Sequence, residues 1–156
     1  MIDNFKGDYY YLSNFYEIDI IYEGITYKNN EAAFQAQKCV NKDDRLQFST
    51  LNASEAKHLG RKVNLRKDWK NIKFSVMTEI VKTKFDQHPD LKQKLLNTKD
   101  ELLIEGNTWN DRIWGCVKDK NNNWTGSNLL GNILMTLRTN YQKEKDMDDI
   151  ALDLLE

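Results

Sequence analysis

The sequence predicts an α+β fold, a compact helix-rich single domain with a small β-sheet. Three observations carry that prediction. Apolar residues recur at helical spacing in long segments, as Trp69, Ile72, Val76, Met77, Ile80 and Val81 in one and Leu130, Ile133, Leu134, Leu137 and Tyr141 in another. Paired strands are signalled most clearly in one short stretch, residues 18–28, around a Glu23-Gly24 turn. A chain of 156 residues, 40% hydrophobic with one proline, can bury a core without a disulfide or a metal.

The elements follow in order. The opening is dense in aromatics and broken by Ser13-Asn14, which predicts an irregular or extended lead-in that turns there and leaves amide and hydroxyl groups for a ligand. Residues 18–22 and 25–28 form the hairpin, expected at the edge of a modest sheet. Asn30 suits a helix N-cap, with Glu31 in the first turn and Ala32, Ala33 and Ala36 as strong helix formers. Ala32, Ala33, Ala36 and Val40 share one face, while Glu31, Gln35 and Lys38 line the other, which periodicity alone reads as facing solvent. Residues 43–50 read as a short helical or irregular connection. A second helix runs over 53–62, begun by Asn52 or Ser54 and interrupted by Gly60. The longest helix is expected over 68–86, with its apolar stripe as core. Pro89 suits the first turn of the next helix, whose buried side is Leu91, Leu95 and Leu96.

Leu102, Leu103 and Ile104 read as a strand end entering a loop, and residues 118–123, with three consecutive asparagines, as an exposed turn. Ser127 is the expected cap of the last long helix. Gly131 inside that helix costs about 1 kcal/mol relative to alanine, which points to close packing of a backbone or a ligand. The domain is expected to span 1–143, followed by an acidic C-terminal tail, 144–156, that forms a short helix or frays.

Composition excludes several functions. No apolar run approaches the roughly 18 residues of a membrane span, and the N-terminus lacks the blocks of a signal peptide, so a cytoplasmic protein without a membrane partner is expected. Cys39 and Cys116 are expected reduced and buried. His58 and His88 share no ligand spacing with each other or with the cysteines, so no metal site is expected. The net charge of -1 gives no global field for nucleic acid. Residues 57–73 do carry seven cations against Asp68, read mainly as a solvated face in which one or two side chains could hold a phosphate.

The densest chemistry lies in residues 105–115. Trp109 and Trp114 flank Asp111 in a loop, where large indoles are unusual unless they pack beneath it or face a ligand. Aromatic walls around a carboxylate suit a flat heterocycle joined to a sugar. Equally, the tryptophans could be core and Asp111 could cap a turn or pair with Arg112.

Several blocks together resemble one family. Leu12-Ser13-Asn14-Phe15-Tyr16, the run from Glu31 to Lys38, the run from Ala56 to Val63, Leu65-Arg66-Lys67-Asp68-Trp69, the 105–115 loop and Gly126-Ser127-Asn128-Leu129-Leu130-Gly131 resemble the NADAR (NAD and ADP-ribose associated) or YbiA-like family, in order from about Phe5 to Arg138. The resemblance implies a helix-rich α+β domain that hydrolyses N-glycosidic bonds. Some members act on phosphorylated intermediates of riboflavin synthesis, releasing ribose 5-phosphate; others remove ADP-ribose from modified guanine in DNA. It implies Glu31, Asp111, Trp109 and Lys38 as catalytic candidates, with Asn14, Phe15 and Trp114 close by.

The chemistry agrees. Breaking an N-glycosidic bond builds positive charge on the sugar, which a carboxylate beneath the ring stabilises, while a second group activates water or protonates the leaving nitrogen. Glu31 and Asp111 would divide these tasks. Trp109 or Trp114 would stack on the base, Ser13 and Asn14 would offer polar contacts, and Arg61 or Arg66 would hold a phosphate. Lys38 could orient a carboxylate, bind phosphate or attack the opened sugar. No cofactor is needed for hydrolysis. The expected partner is a small phosphorylated nucleoside-like substrate or ADP-ribose, with DNA only as a modified substrate; a non-catalytic nucleotide-binding module is the remaining reading.

Overall fold

The computed structural model describes residues 1–156. It is helix-rich α+β, as the periodicity predicts, with six α-helices, one 3-10 helix (Gly7–Leu12) and four short strands. The chain divides into two units, Tyr10–Pro89 and a discontinuous one of Met1–Tyr9 with Asp90–Glu156.

In the Tyr10–Pro89 unit, β1 (Ile20–Tyr22) and β2 (Ile25–Tyr27) pair antiparallel, Ile20 opposite Tyr27 and Tyr22 opposite Ile25. Glu23 and Gly24 have φ of 49° and 78°, the left-handed pair that a two-residue turn needs to match the strand twist. The hairpin is a sheet by itself rather than the edge of a larger one. Its outer edge is closed by a side chain: Gln87 Nε2 donates to Ile21 O at 2.8 Å, and Ile21 N donates to Gln87 Oε1 at 2.9 Å, an amide acting as a substitute strand.

The first helix, α1 (Asn30–Ala36), is capped by Asn29 and not Asn30: Asn29 Oδ1 accepts from Ala32 N at 2.7 Å. Every residue of α1 is buried, so the expected solvent-facing row of Glu31 and Gln35 is overturned. The reason is tertiary, because α3 (Ala53–Gly60) and α4 (Trp69–Gln87) both pack against this helix. Val40, expected on the buried face, lies beyond the helix and is 71% exposed. Between them, α2 (Lys42–Leu46) is capped by Asn41, and α3 by a reciprocal Asn52–Glu55 capping box.

Along α4, Trp69, Met77, Ile80 and Val81 are buried as expected, Ile72 and Val76 are half-buried, and Phe85 joins the core. Trp69 meets Phe34 of α1 at 5.0 Å between ring centroids. Lys84, fully buried on the same helix, donates to Tyr11 O at 2.5 Å and Ser13 O at 3.1 Å and lies 5.4 Å from the Tyr16 ring centroid. It thereby pins the Ser13-Asn14 turn.

In the other unit, which takes all of α5 (Pro89–Asn97) but its first residue, that helix buries Leu91 and Leu95. Residues 102–104 make only a single parallel bridge, with Ile2 N donating to Leu102 O and Ile104 N to Ile2 O. The polar excursion is the tip of a second hairpin, β3 (Val117–Lys118) with β4 (Trp124–Thr125), where Asp119 Oδ1 accepts from Asn121 N and Asn123 N.

The last helix, α6 (Leu129–Leu155), is the longest at 27 residues, ahead of α4 at 19. Leu130, Ile133, Leu134, Leu137 and Tyr141 are its buried face. Asn128, with φ of 50°, and not Ser127 precedes it, and the Asn128 amide is used to donate to Leu103 O and accept from Glu105 N. Gly131 explains itself here: a Cβ would stand 2.2 Å from Leu103 O. The acidic tail neither frays nor forms a separate helix but continues α6, and residues 142–156 are exposed throughout. No helix is long and apolar enough to cross a membrane.

Candidate active site

Glu31 is a carboxylate taken out of water, 8% exposed. Such a group needs partners. Gln35, one turn along α1, donates from Nε2 to Glu31 Oε1 at 2.8 Å. The backbone N of Glu31 donates to Asn14 O at 3.1 Å, which ties the start of α1 to the Ser13-Asn14 turn. Asn14 is buried too, accepting from Asn30 Nδ2 at 3.0 Å and turning its own Nδ2 toward Met77 Sδ at 3.4 Å. Ser13 Oγ accepts from Phe15 N, and Lys57 Nζ lies 5.9 Å from the Phe15 ring centroid.

Gly60 at the end of α3 completes this cluster. A Cβ there would stand 1.9 Å from Gln35 Oε1, so only glycine leaves room for the amide that holds Glu31. The Gly60 carbonyl accepts from Lys38 Nζ at 3.2 Å. Burial pushes the Lys38 amine below the ordinary lysine range; Glu31 pulls in the opposite direction, and Arg61 and Lys73 add to the lowering. Glu31 and Lys38 are thus electrostatically coupled.

The two arginines differ. Arg66 forks onto Asp68, Nε to Oδ1 at 2.6 Å and Nη2 to Oδ2 at 3.1 Å, and also reaches Gln37 O. Its guanidinium is largely occupied. Arg61 follows α3 on the exposed side and forms no ion pair.

Trp109, Asp111 and Trp114 belong to the other unit, on the 105–115 loop. Asn107, which sequence reasoning passed over, organises that loop from a buried position: its Nδ2 donates to Asp111 O at 2.8 Å and Cys116 O at 3.1 Å, and its Oδ1 accepts from Asp111 N at 3.0 Å. Asp111 Oδ1 accepts from Ile113 N at 3.0 Å and Trp114 N at 2.9 Å, so the turn-capping role read from the sequence is real for that oxygen. Trp109 is 57% exposed and Trp114 half-buried, so Trp109 is not core. Gly115 lets the loop close, since its Cβ would stand 2.1 Å from Glu105 O.

The sequence reading puts Gln35 on the row of Glu31 and Lys38 and takes Gly60 as a helix interruption without giving either a role in the site, and it passes over Lys84. The i, i+4 spacing of Glu31 and Gln35 was a usable signal; nothing local announces a buried lysine. Cys39 and Cys116 are free and buried, and no group of three or more His, Cys, Asp or Glu side chains could hold a metal ion.

The short helix carrying a buried glutamate, and the capped turn carrying Asp111, fall within one recognisable class of domain: the family model for the NADAR domain matches residues 3–142. The chain belongs to the NADAR family. It is similar to N-glycosidase YbiA of Escherichia coli (strain K12), 36% identical over 143 residues, 90% of this chain and 86% of that protein. The solved NMR structure of E. coli YbiA superposes with a TM-score of 0.76 at 34% identity, covering 93% of this chain and 89% of that one. The Riboflavin biosynthesis protein VVA0006 of Vibrio vulnificus is 37% identical over 138 residues, 85% of this chain and 36% of the longer protein.

Proposed function

We propose that this protein hydrolyses the N-glycosidic bond of a phosphorylated riboside of the riboflavin pathway, in the cytoplasm, releasing ribose 5-phosphate. The chain is an enzyme, a hydrolase acting on N-glycosyl bonds, as a NADAR member akin to named N-glycosidases over most of its length. The riboside reading takes support from the riboflavin biosynthesis protein among its relatives.

The observation that carries the mechanism is Glu31, a buried carboxylate held by Gln35 beside a lysine whose amine burial holds below the ordinary lysine range. A carboxylate in a poorly hydrated place stabilises positive charge on a sugar better than one in water. Glu31 supports the sugar cation or removes a proton from the attacking water; Asp111 takes the complementary task at the departing nitrogen. Water oxygen bonds to C1, the C1–N bond breaks with its electron pair going to nitrogen, and the proton ends on that nitrogen. Lys38 steadies the carboxylate or meets the opened sugar as an amine. Trp109, being exposed, and Trp114 offer stacking faces for the base, Arg61 the cation for the phosphate, and Ser13, Asn14 and Phe15 the sugar-side wall.

The second reading is removal of ADP-ribose from modified guanine in DNA. It is favoured by the exposed cations Arg61, Lys62, Lys67 and Lys70, which form no ion pair and would follow a phosphate backbone. Mass spectrometry after incubation with phosphorylated aminopyrimidinone ribosides, and in parallel with an oligonucleotide bearing ADP-ribosyl guanine, separates the two. Ribose 5-phosphate release abolished in Glu31→Gln and Asp111→Asn supports the first reading. ADP-ribose release with restored guanine supports the second, and full activity of both folded variants overturns the assignment of these carboxylates.

A further inference from the structure

A cavity of about 680 Å³ lies wholly within the Met1–Tyr9 and Asp90–Glu156 unit. That volume falls in the range of ligand pockets. Its walls bring together Lys6 from the N-terminal segment, Arg112 from the 105–115 loop and Lys118 from β3, with the Trp124 indole of β4 beside them. One acid, Asp3, faces three cations, and none of the four is in an ion pair.

Two of these cations are already oriented. Arg112 Nε donates to Asn110 Oδ1 at 2.9 Å and its Nη1 to Thr125 Oγ1 at 3.2 Å, so neutral acceptors position the guanidinium and leave its charge uncompensated. Lys118 Nζ sits 4.9 Å from the Trp124 ring centroid, held by the ring face rather than by a carboxylate. Positioned cations that outnumber the one acid beside them and pair with no carboxylate define an anion receptor in a concave site, and an indole in the same wall adds a flat apolar surface.

The 105–115 loop presents two sides. Thr108, Asn110 and Arg112 line this cavity, whereas Trp109 and Asp111 do not. None of the proposed catalytic side chains lines the cavity, which shares the 105–115 loop with Trp109 and Asp111.

We propose that this cavity binds a nucleotide, its phosphate on Lys6, Arg112 and Lys118 and its base against the Trp124 side. The ligand is either a free mononucleotide or one unit of a nucleic-acid strand. The binding claim stands whether or not Glu31 and Asp111 are catalytic.

Isothermal titration of the whole protein with AMP, inorganic phosphate and the oligonucleotide dA6 tests it, using Lys6→Ala, Lys118→Ala, Glu31→Gln and Asp111→Asn, each checked for an unchanged thermal transition. AMP is expected to bind more tightly than phosphate, with each lysine substitution weakening it roughly fivefold, the value of one partly exposed ion pair. Glu31→Gln and Asp111→Asn leave that binding intact. Tighter binding of dA6 through the same lysines, falling steeply with salt, identifies a strand as the source, and preference for AMP identifies the free nucleotide. The proposal is overturned if AMP and dA6 both fail to bind at millimolar concentration, if the lysine substitutions change nothing, or if binding is lost only in Glu31→Gln or Asp111→Asn.

Discussion

Gln35 Nε2 donates to Glu31 Oε1 across one turn of α1, and the opposite edge of that amide lies against Gly60, where a side chain would collide with it. The carboxylate is thus positioned by a glycine in another helix. Gly60→Ala is expected to keep the fold, losing about 1–3 kcal/mol as overpacked sites do. Turnover should fall at least tenfold, because the displaced amide releases Glu31. Steady-state kinetics beside urea denaturation checks this; unchanged kcat in a folded Gly60→Ala protein would remove Gln35 from the mechanism.

Asp111 has a structural task and a proposed chemical one, and two substitutions separate them. Asp111→Asn keeps an oxygen to accept from Ile113 N and Trp114 N, so stability should stay near that of the parent while activity drops by two orders of magnitude or so, as for loss of an acid–base group. Asp111→Ala loses the turn as well and should cost about 1 kcal/mol more. Equal stability of the two variants would show that the cap contributes nothing.

Lys84 makes stability depend on pH. Burial lowers its amine from the usual 10.5 to about 7 in the folded protein. Between pH 7 and 10.5 the unfolded chain therefore holds a proton that the folded chain has released, so stability rises with pH across that window and is lowest, for this group, below it. The two carbonyls that accept from the ammonium favour its charged form, which narrows this window without changing the sign of the dependence. Urea midpoints of the parent and of Lys84→Met at pH 7, 8 and 9 should show a rise in the parent that the variant lacks; parallel curves would mean that Lys84 stays charged throughout.

The end of α6 carries no buried side chain after Tyr141. Its one ion pair, Lys92 with Glu144 at 3.9 Å, is exposed and worth little. Removal of residues 144–156 should leave turnover unchanged and shift unfolding by no more than about 0.5 kcal/mol. A larger loss, read by thermal denaturation, would place the tail within the folding domain.

Much of the architecture was written locally. The Glu23-Gly24 turn, the Asn52–Glu55 capping box, Pro89 at the start of α5 and the apolar stripes of α4 and α6 depend on neighbours within a few residues, and the chain alone determined them. Asn29, Asn30 and Asn128 show where local rules stop. Each asparagine can cap a helix, and which one does is decided by distant acceptors, Asn14 for Asn30 and Leu103 for Asn128.

The family and the candidate residues Glu31, Lys38 and Asp111 were also legible, because their motifs are contiguous runs. Their environment was not. A seven-residue helix with polar residues on one side reads as a surface helix until α3 and α4 cover it. Burial, and with it the lowered pKa of Lys38 and the need for Gln35 and Gly60, arises from side chains far apart in sequence. Tertiary structure alone decided it, since desolvation depends on everything packed around a group, and no periodicity along one segment records that.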